Sequence, residues 1–153
     1  MTKVCKACRI EKPLSAFPKN GKIEGVVQHR ADCTECYNIR RKIDKKSVRK
    51  FVNNAKHRNG EIATLKVADW RDVMLYFRGG CAYCGAKQSR RVKLTKEHVV
   101  PVIKGGLTTR CNIIPACTPC NSSKSDDDLV VWFPKQPFYT PERMELIQQW
   151  VLT

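Results

Sequence analysis

Three stretches of this chain place apolar residues at the spacing of an amphipathic helix. The first stretch predicts a helix over 38–58. The second predicts a helix over 68–78, whose apolar side chains are interpreted as core rather than as a base-stacking surface: Trp70, Val73, Met74 and Phe77. The third predicts a C-terminal helix with Thr140 as its N-cap and Pro141 in its first turn.

A different pattern lies between the second and third helices. Partial alternation of apolar and polar residues over 92–100 predicts a strand, and Gly105-Gly106 predicts a loop after it. Residues 112–116 read as a short returning strand, and Pro119 marks where a following helix can begin. The predicted order is strand, loop, strand, helix. Together with the flanking helices, it makes the chain a small α+β protein.

The nine cysteines add a second organising feature. Eight of them form four Cys-x-x-Cys pairs: Cys5/Cys8, Cys33/Cys36, Cys81/Cys84 and Cys117/Cys120. Two such pairs complete a tetrahedral zinc site, so we expect the first two pairs to hold one structural zinc ion and the last two a second. His29 is a weaker candidate ligand for the first site. Redox chemistry is the competing interpretation. It is disfavoured because four such motifs occur in one small basic chain. The ninth cysteine, Cys111, is expected to be buried.

The chain of 153 residues is long enough for one domain or two small ones, and three segments are expected within it. Residues 1–38 form an N-terminal zinc module whose loop has too few apolar residues for a core, so metal must supply much of its stability. Residues 39–67 form a basic helical linker. Residues 68–153 form the main domain, which includes the C-terminal helix.

The formal net charge of +15 and sequence pI of about 9.7 indicate a polyanionic partner, either nucleic acid or an acidic membrane surface. The predicted helix over 38–58, which Asn59-Gly60 would end, carries nine basic residues and one acidic residue. We therefore favour a phosphate-contact surface over a solvated face. A basic amphipathic helix can also lie on a membrane, but this apolar stripe is short and contains no Trp.

Double-stranded DNA is therefore the expected partner, and no membrane contact is expected. The sequence has no apolar run of about 18 residues and no signal-peptide core at its N-terminus, so we expect an intracellular protein. The basic residues expected to contact DNA are Arg40, Arg41, Lys45, Lys46, Arg49, Arg90, Arg91, Lys93, Arg110 and Lys124.

The segment around the predicted strand pair has the groups needed to cut a phosphodiester. His98 is a suitable general base near neutral pH. Glu97 and Asn121 offer the oxygen donors that a hard divalent ion prefers, and Asn112 can hydrogen-bond backbone across the loop. Neighbouring residues on a strand point to opposite faces. Glu97 and His98 therefore share a site only if the strand bends or ends there, and Pro101 makes such a break plausible.

These residues resemble the HNH endonuclease family, which has the ββα-metal fold. The resemblance covers roughly residues 70–128, and the motifs that carry it are Cys81-x-x-Cys84, Glu97-His98-Val99-Val100-Pro101, Gly105-Gly106, Asn112-Ile113 and Cys117-x-x-Cys120-Asn121-x-x-Lys124. Many members carry Asp or His where this chain has Glu97. The N-terminal module is similar to those of small two-zinc restriction endonucleases and of phage-type or homing HNH proteins.

The resemblance implies a catalytic role for His98 as general base, with Asn112 as the structural asparagine of the same catalytic set. It implies that Glu97 and Asn121 hold one Mg²⁺ or Mn²⁺ ion, that cleavage leaves 5′-phosphate and 3′-hydroxyl ends, and that both zinc ions are structural. It also implies a nuclease domain at 68–153, and it places the protein in the cytoplasm of a bacterial or phage-infected cell.

Two other functions are compatible with the sequence. A zinc protein that binds DNA without cutting it would use the same basic helix, and a ribonuclease would use the same site on another polymer. One active site per chain means that cleavage of both strands requires a homodimer or two successive nicks. Restriction, gene mobility and phage DNA packaging are the candidate biological roles.

Overall fold

The computed structural model describes residues 1–59 and 62–153, which divide into two compact units, Met1–Ile43 and Asp44–Thr153. The predicted zinc module lies within the first unit. The boundary between the two units falls within the predicted linker at 39–67. No helix among the described residues is long and apolar enough to cross a membrane.

The first unit is built from two short antiparallel hairpins and one helix. Its elements are β1 (Thr2–Val4), β2 (Glu11–Pro13), β3 (Lys19–Ile23), β4 (Val26–His29) and α1 (Thr34–Arg41). β1 pairs with β2, and β3 pairs with β4. Isolated two-stranded hairpins are marginally stable in water. Apart from Phe17 and Ile39, the apolar side chains buried in this unit are cysteines.

The predicted single helix over 38–58 is wrong, because the structure has two helices there. α1 ends at Arg41, and α2 spans Lys45–Asn59. Asp44 separates them, since its carboxylate accepts a hydrogen bond from the backbone N–H of Lys46 at 2.9 Å. This N-cap starts a new helix although the apolar spacing continues across the break. Gly60, which was expected to end the helix, lies outside the described residues.

The second unit has the predicted order of strand, loop, strand and helix. Its elements are α2, α3 (Val67–Tyr76), β5 (Leu94–His98), β6 (Ile113–Cys117), α4 (Thr118–Lys124), α5 (Leu129–Trp132) and α6 (Pro141–Val151). β5 and β6 pair antiparallel, from Leu94 opposite Cys117 to His98 opposite Ile113. Every residue of β6 is buried, and β6 packs against both α3 and α4. The small α+β fold with a ββα unit is confirmed.

An aromatic cluster supports α4. The ring of Tyr83 lies 5.0 Å from that of Trp132 and 5.4 Å from that of Phe133, between ring centroids. Trp132 also donates its indole N–H to Ser123 Oγ at 3.1 Å, which ties α5 to α4. The predicted cap of the last helix is present, since Thr140 Oγ1 accepts from the backbone N–H of Arg143.

Candidate active site and cysteine clusters

The cysteine pairs assemble as the spacing predicted. Within each cluster the four Sγ atoms lie within 4.8 Å of one another, and the clusters are Cys5/Cys8/Cys33/Cys36 and Cys81/Cys84/Cys117/Cys120. The sulfurs of Cys84 and Cys117 are 3.7 Å apart. A tetrahedral ion with metal–sulfur bonds of about 2.3 Å requires sulfurs separated by about 3.8 Å. Each cluster therefore has the donors and the spacing to hold a four-coordinate zinc ion.

Electrostatics in the second cluster also call for a cation. Burial, with the nearby thiol groups, raises the pKa of Cys81 to about 11 and raises that of Cys120 further. Thiols in such surroundings do not ionise together without a positive charge among them. A divalent ion supplies that charge and binds the thiolate forms.

The expectation that Cys111 is buried is wrong, because this residue is exposed. It lies in the 3₁₀ turn Arg110–Asn112 that precedes β6. In that turn the side chain of Asn112 is buried and that of Cys111 faces solvent.

His98 is the last residue of β5, and its side chain lies on the face that packs towards α2. Its Nε2 lies 2.9 Å from Thr108 Oγ1, and its ring lies 5.7 Å from that of Phe51 on α2. Burial first, and then the positive charges of Arg58 and Lys124, lower the pKa of His98 to about 4. The imidazole is therefore neutral at physiological pH, as a general base must be.

Thr108 is the residue of this site that sequence reasoning missed. It is fully buried, and its backbone carbonyl accepts hydrogen bonds from the N–H groups of Thr64 and Leu65 at 3.0 and 3.1 Å. These bonds fix the hydroxyl that meets His98. No motif in the sequence distinguishes Thr108 from its neighbour Thr109.

Glu97 lies on the opposite face of β5 from His98. The strand pairs regularly with β6 through both residues, so their side chains alternate and the strand does not bend between them. Glu97 is 5% exposed, and its Oε1 lies 2.9 Å from Lys124 Nζ. The ammonium of Lys124 also donates to the backbone carbonyl of His98 at 3.1 Å.

The expectation that Lys124 contacts a DNA phosphate does not hold in this structure, because the side chain is 0% exposed. Its position near the end of α4 turns it towards β5 and the buried carboxylate of Glu97. Burial raises the pKa of Glu97, and the ammonium of Lys124 partly opposes that rise. Lys124 is thus a buried counter-ion.

Asn121 lies on the same side of β5 as Glu97. Its Nδ2 donates to Thr95 Oγ1 at 2.8 Å, and Thr95 is two residues before Glu97 on the strand. On α4, Asn121 and Lys124 are three residues apart and share a helix face. The amide oxygen of Asn121 and the carboxylate of Glu97 therefore come from the same layer, between β5 and α4.

Asn112 joins the two ends of the β5–β6 connection. Its Nδ2 donates to the carbonyls of Val100 and Leu107, each at 3.0 Å, and its Oδ1 accepts from the Val100 N–H at 2.8 Å. Gly106 permits this close approach, because a Cβ there would lie 1.7 Å from the Val100 carbonyl oxygen. In this structure Asn112 shapes the loop that follows His98.

The remaining basic residues named from the sequence differ in their surroundings. Most have exposed side chains: Arg41, Lys45, Lys46, Arg49, Arg90, Arg91 and Lys93. Arg40 pairs with Asp32. Arg110 lies over the Trp150 ring at 4.3 Å and donates to Thr153 Oγ1. The exposed set stays available for an anionic ligand, whereas Arg40 and Arg110 have partners within the protein.

Comparison with known proteins matches part of the second unit to a known family. Residues 81–127 match the model of the HNH endonuclease family, so the chain carries an HNH endonuclease domain. It is 32% identical over 90 residues to "SPbeta prophage-derived putative HNH endonuclease YoqL" of Bacillus subtilis (strain 168). That match covers 54% of this chain and 39% of the relative, so the chain spans about two fifths of the relative's length.

Among solved structures, this chain is similar to part of the crystal structure of the Type II-C Cas9 enzyme from Actinomyces naeslundii. The identity is 22% and the TM-score 0.41, with coverage of 75% of this chain and 15% of that one.

The Glu97–Lys124 pair leads to a stability prediction. Replacing Lys124 by Met leaves a buried carboxylate without its counter-ion, so we expect a loss of about 3–5 kcal/mol in the free energy of unfolding. Lys104→Met is the matched control, because the Lys104–Asp128 pair is 3.0 Å long but 43% and 57% exposed. Such a surface pair contributes about 0–1 kcal/mol. Urea unfolding of zinc-loaded protein measures both, and equal losses would contradict the assignment of Lys124.

Proposed function

We propose that this protein is a metal-dependent endonuclease that hydrolyses phosphodiester bonds of double-stranded DNA. The observation that carries the proposal is the neutral, half-buried imidazole of His98, held by Thr108 at the end of β5 within the HNH domain. Cleavage leaves 5′-phosphate and 3′-hydroxyl ends. The prophage origin of the relative supports action in the cytoplasm of a bacterial or phage-infected cell.

His98 acts as the general base. If Nε2 carries the hydrogen and donates it to Thr108 Oγ1, the lone pair on Nδ1 is free to take a proton from the attacking water. The buried hydroxyl of Thr108 fixes the ring orientation as well as the tautomer. The negative charge of a bound phosphate raises the pKa of His98 in the complex, which makes it a better proton acceptor there than in the free protein.

Glu97 and Asn121 are the proposed ligands of one Mg²⁺ or Mn²⁺ ion. They fit such an ion, because both offer oxygen donors and their side chains come from the same layer between β5 and α4. Lys124 already places one positive charge beside this carboxylate. When bound, the ion polarises the phosphate and stabilises charge on the leaving oxygen.

Zinc is the proposed occupant of both cysteine clusters. Four thiolates complete the coordination shell and leave no open position for water, so the role of both ions is structural. In the second cluster, Cys117 ends β6 and Cys120 lies in α4. An ion there fixes the start of the helix that carries Asn121 and Lys124.

Cleavage of supercoiled plasmid tests the proposal. Zinc-loaded protein with Mg²⁺ or Mn²⁺ should produce nicked circles before linear DNA, since each chain has one site, while protein without a hard divalent ion should leave the plasmid intact. DNA binding without cutting in any divalent metal would instead favour a non-catalytic zinc protein. Preferential cleavage of a matched RNA would favour a ribonuclease.

Because the pKa of His98 in the free protein is about 4, the wild-type kcat/KM should stay flat as pH falls from 8 to 6.

Thr108 provides a test of the base geometry. Thr108→Val keeps the side-chain shape but removes the hydroxyl. We therefore expect kcat to fall about tenfold or more with little change in KM, while Thr108→Ser keeps most activity. Wild-type kcat in Thr108→Val would contradict the positioning role.

A further inference from the structure

The first unit has a concave pocket of about 440 Å³, and only Arg40 and Arg41 among its lining residues were named from the sequence as expected DNA contacts. It is lined by basic, aromatic and polar side chains, chiefly Asn20, Arg30, Asp32, Tyr37, Arg40 and Arg41. Three of these residues are arginines and one is an acid, so the pocket has an excess of positive charge.

Tyr37 holds two of the arginines in place. The guanidinium carbons of Arg30 and Arg41 lie 4.8 Å and 5.6 Å from the centroid of its ring. Arg41 follows Tyr37 by four residues on α1, which puts both on one helix face. Stacking on a ring restricts a guanidinium without neutralising it.

The backbone of Arg30 is also fixed. Its N–H donates to the carbonyl of Pro18 at 2.9 Å, and its carbonyl accepts from Lys3 Nζ at 3.0 Å. The two guanidinium groups on Tyr37 therefore project from an ordered helix and an ordered turn. Such preorganisation lowers the entropic cost of binding an anion.

Arg40 and Asp32 neutralise each other, but Arg30 and Arg41 keep their charges. Arg40 pairs with Asp32, and none of the ion pairs formed within residues 1–59 and 62–153 includes Arg30 or Arg41. Arg40 Nε and Asp32 Oδ1 are buried without hydrogen-bond partners in the same part of the chain. The pocket thus offers an anion two guanidinium groups that no carboxylate neutralises.

We propose that this pocket binds a backbone phosphate of the DNA on which the nuclease acts, with Arg30 and Arg41 as the phosphate ligands. The guanidinium fork matches phosphate oxygens in pairs. A stacked base is disfavoured, because guanidinium groups already cover the Tyr37 ring. The inference rests on the proposed function for the choice of polymer, and it makes the N-terminal unit a DNA-binding module as well as a zinc module.

Salt-dependent DNA binding by the full zinc-loaded chain tests this inference, with His98→Ala as the background so that cleavage does not intervene. Fluorescence anisotropy with a labelled duplex gives Kd and its salt slope. We expect Arg30→Gln and Arg41→Gln each to weaken binding about tenfold and to lower the salt slope by about one. Tyr37→Leu removes no charge, yet it should weaken binding because the arginines lose their support.

Arg9→Gln is the matched control, since it removes one exposed positive charge from the same unit outside the pocket. Binding by the pocket variants equal to that of the Arg9→Gln protein would overturn the inference. The zinc content of each variant shows whether it has folded. If Arg30→Gln loses zinc, Arg30→Lys takes its place in the binding test, because lysine keeps the positive charge but not the guanidinium fork. If the pocket variants bind DNA more weakly but the wild-type protein does not cut DNA, only the proposed nuclease activity is refuted. If the wild-type protein cuts DNA and the pocket variants bind it as tightly as before, only the proposed pocket is refuted.

Discussion

Replacing His98 by alanine should lower the rate of DNA cleavage by about 10²–10⁴-fold while leaving DNA affinity nearly unchanged. The expected loss is large because the imidazole is the proposed acceptor of the water proton. The affinity is retained because His98 is half-buried against Phe51 and Thr108 and is not one of the exposed basic groups. Single-turnover nicking of plasmid, with binding measured in parallel, gives both numbers.

His57→Ala is the control for this experiment. His57 is exposed on α2, in the same unit, so its loss removes an imidazole of the same kind from outside the site. It should cut at the wild-type rate. If the His98→Ala protein also keeps full activity, His98 is not the base.

The second large effect is expected on removing a ligand of the second cysteine cluster. Cys117→Ser should reduce zinc content from two ions per chain to one and abolish cooperative unfolding of the HNH domain. A structural zinc ion supplies about 10–16 kcal/mol in small modules. Whole domains are stable by only about 5–15 kcal/mol. Loss of the ion therefore removes about as much free energy as the whole domain has for its stability.

Cys111→Ser is the matched substitution, because Cys111 is exposed and lies outside both clusters. It should retain both zinc ions and the wild-type melting transition. Zinc titration with a chromogenic chelator and circular dichroism melts measure the two properties. A Cys117→Ser protein that still holds two ions and melts like the wild type would show that this cluster is not a zinc site.

Local sequence patterns were sufficient for the parts of the fold that depend on neighbouring residues. The Cys-x-x-Cys turns, the Thr140 cap and the apolar spacing of α3 are each determined within about one turn of helix. The order of the strand pair and its helix followed from the same kind of evidence. These features come from short-range geometry, which a sequence displays directly.

Other features depend on partners that are distant in sequence. Lys124 looks like a phosphate contact because lysine is usually exposed, but Glu97 across the β5–α4 layer draws it into the interior. Thr108 matters only because the loop after β5 returns it to His98. The helix break at Asp44 required weighing a side-chain cap against continuing apolar periodicity, and the cap prevailed.

The arrangement of Glu97 and His98 bears most directly on the mechanism. The two side chains leave opposite faces of β5, so the proposed metal ligands and the proposed base reach a substrate phosphate from different sides of one strand end. Lys124 links the two sides, since its ammonium contacts Glu97 Oε1 and the carbonyl of His98.

Diffraction from a crystal of zinc-loaded protein soaked in Mn²⁺ tests the central claim most directly, because the anomalous signal of manganese locates the ion. We expect one manganese ion within coordination distance of a Glu97 carboxylate oxygen and the Asn121 amide oxygen, with zinc in both cysteine clusters. Zinc in both clusters, with no manganese between β5 and α4 and Lys124 still paired with Glu97, would contradict it.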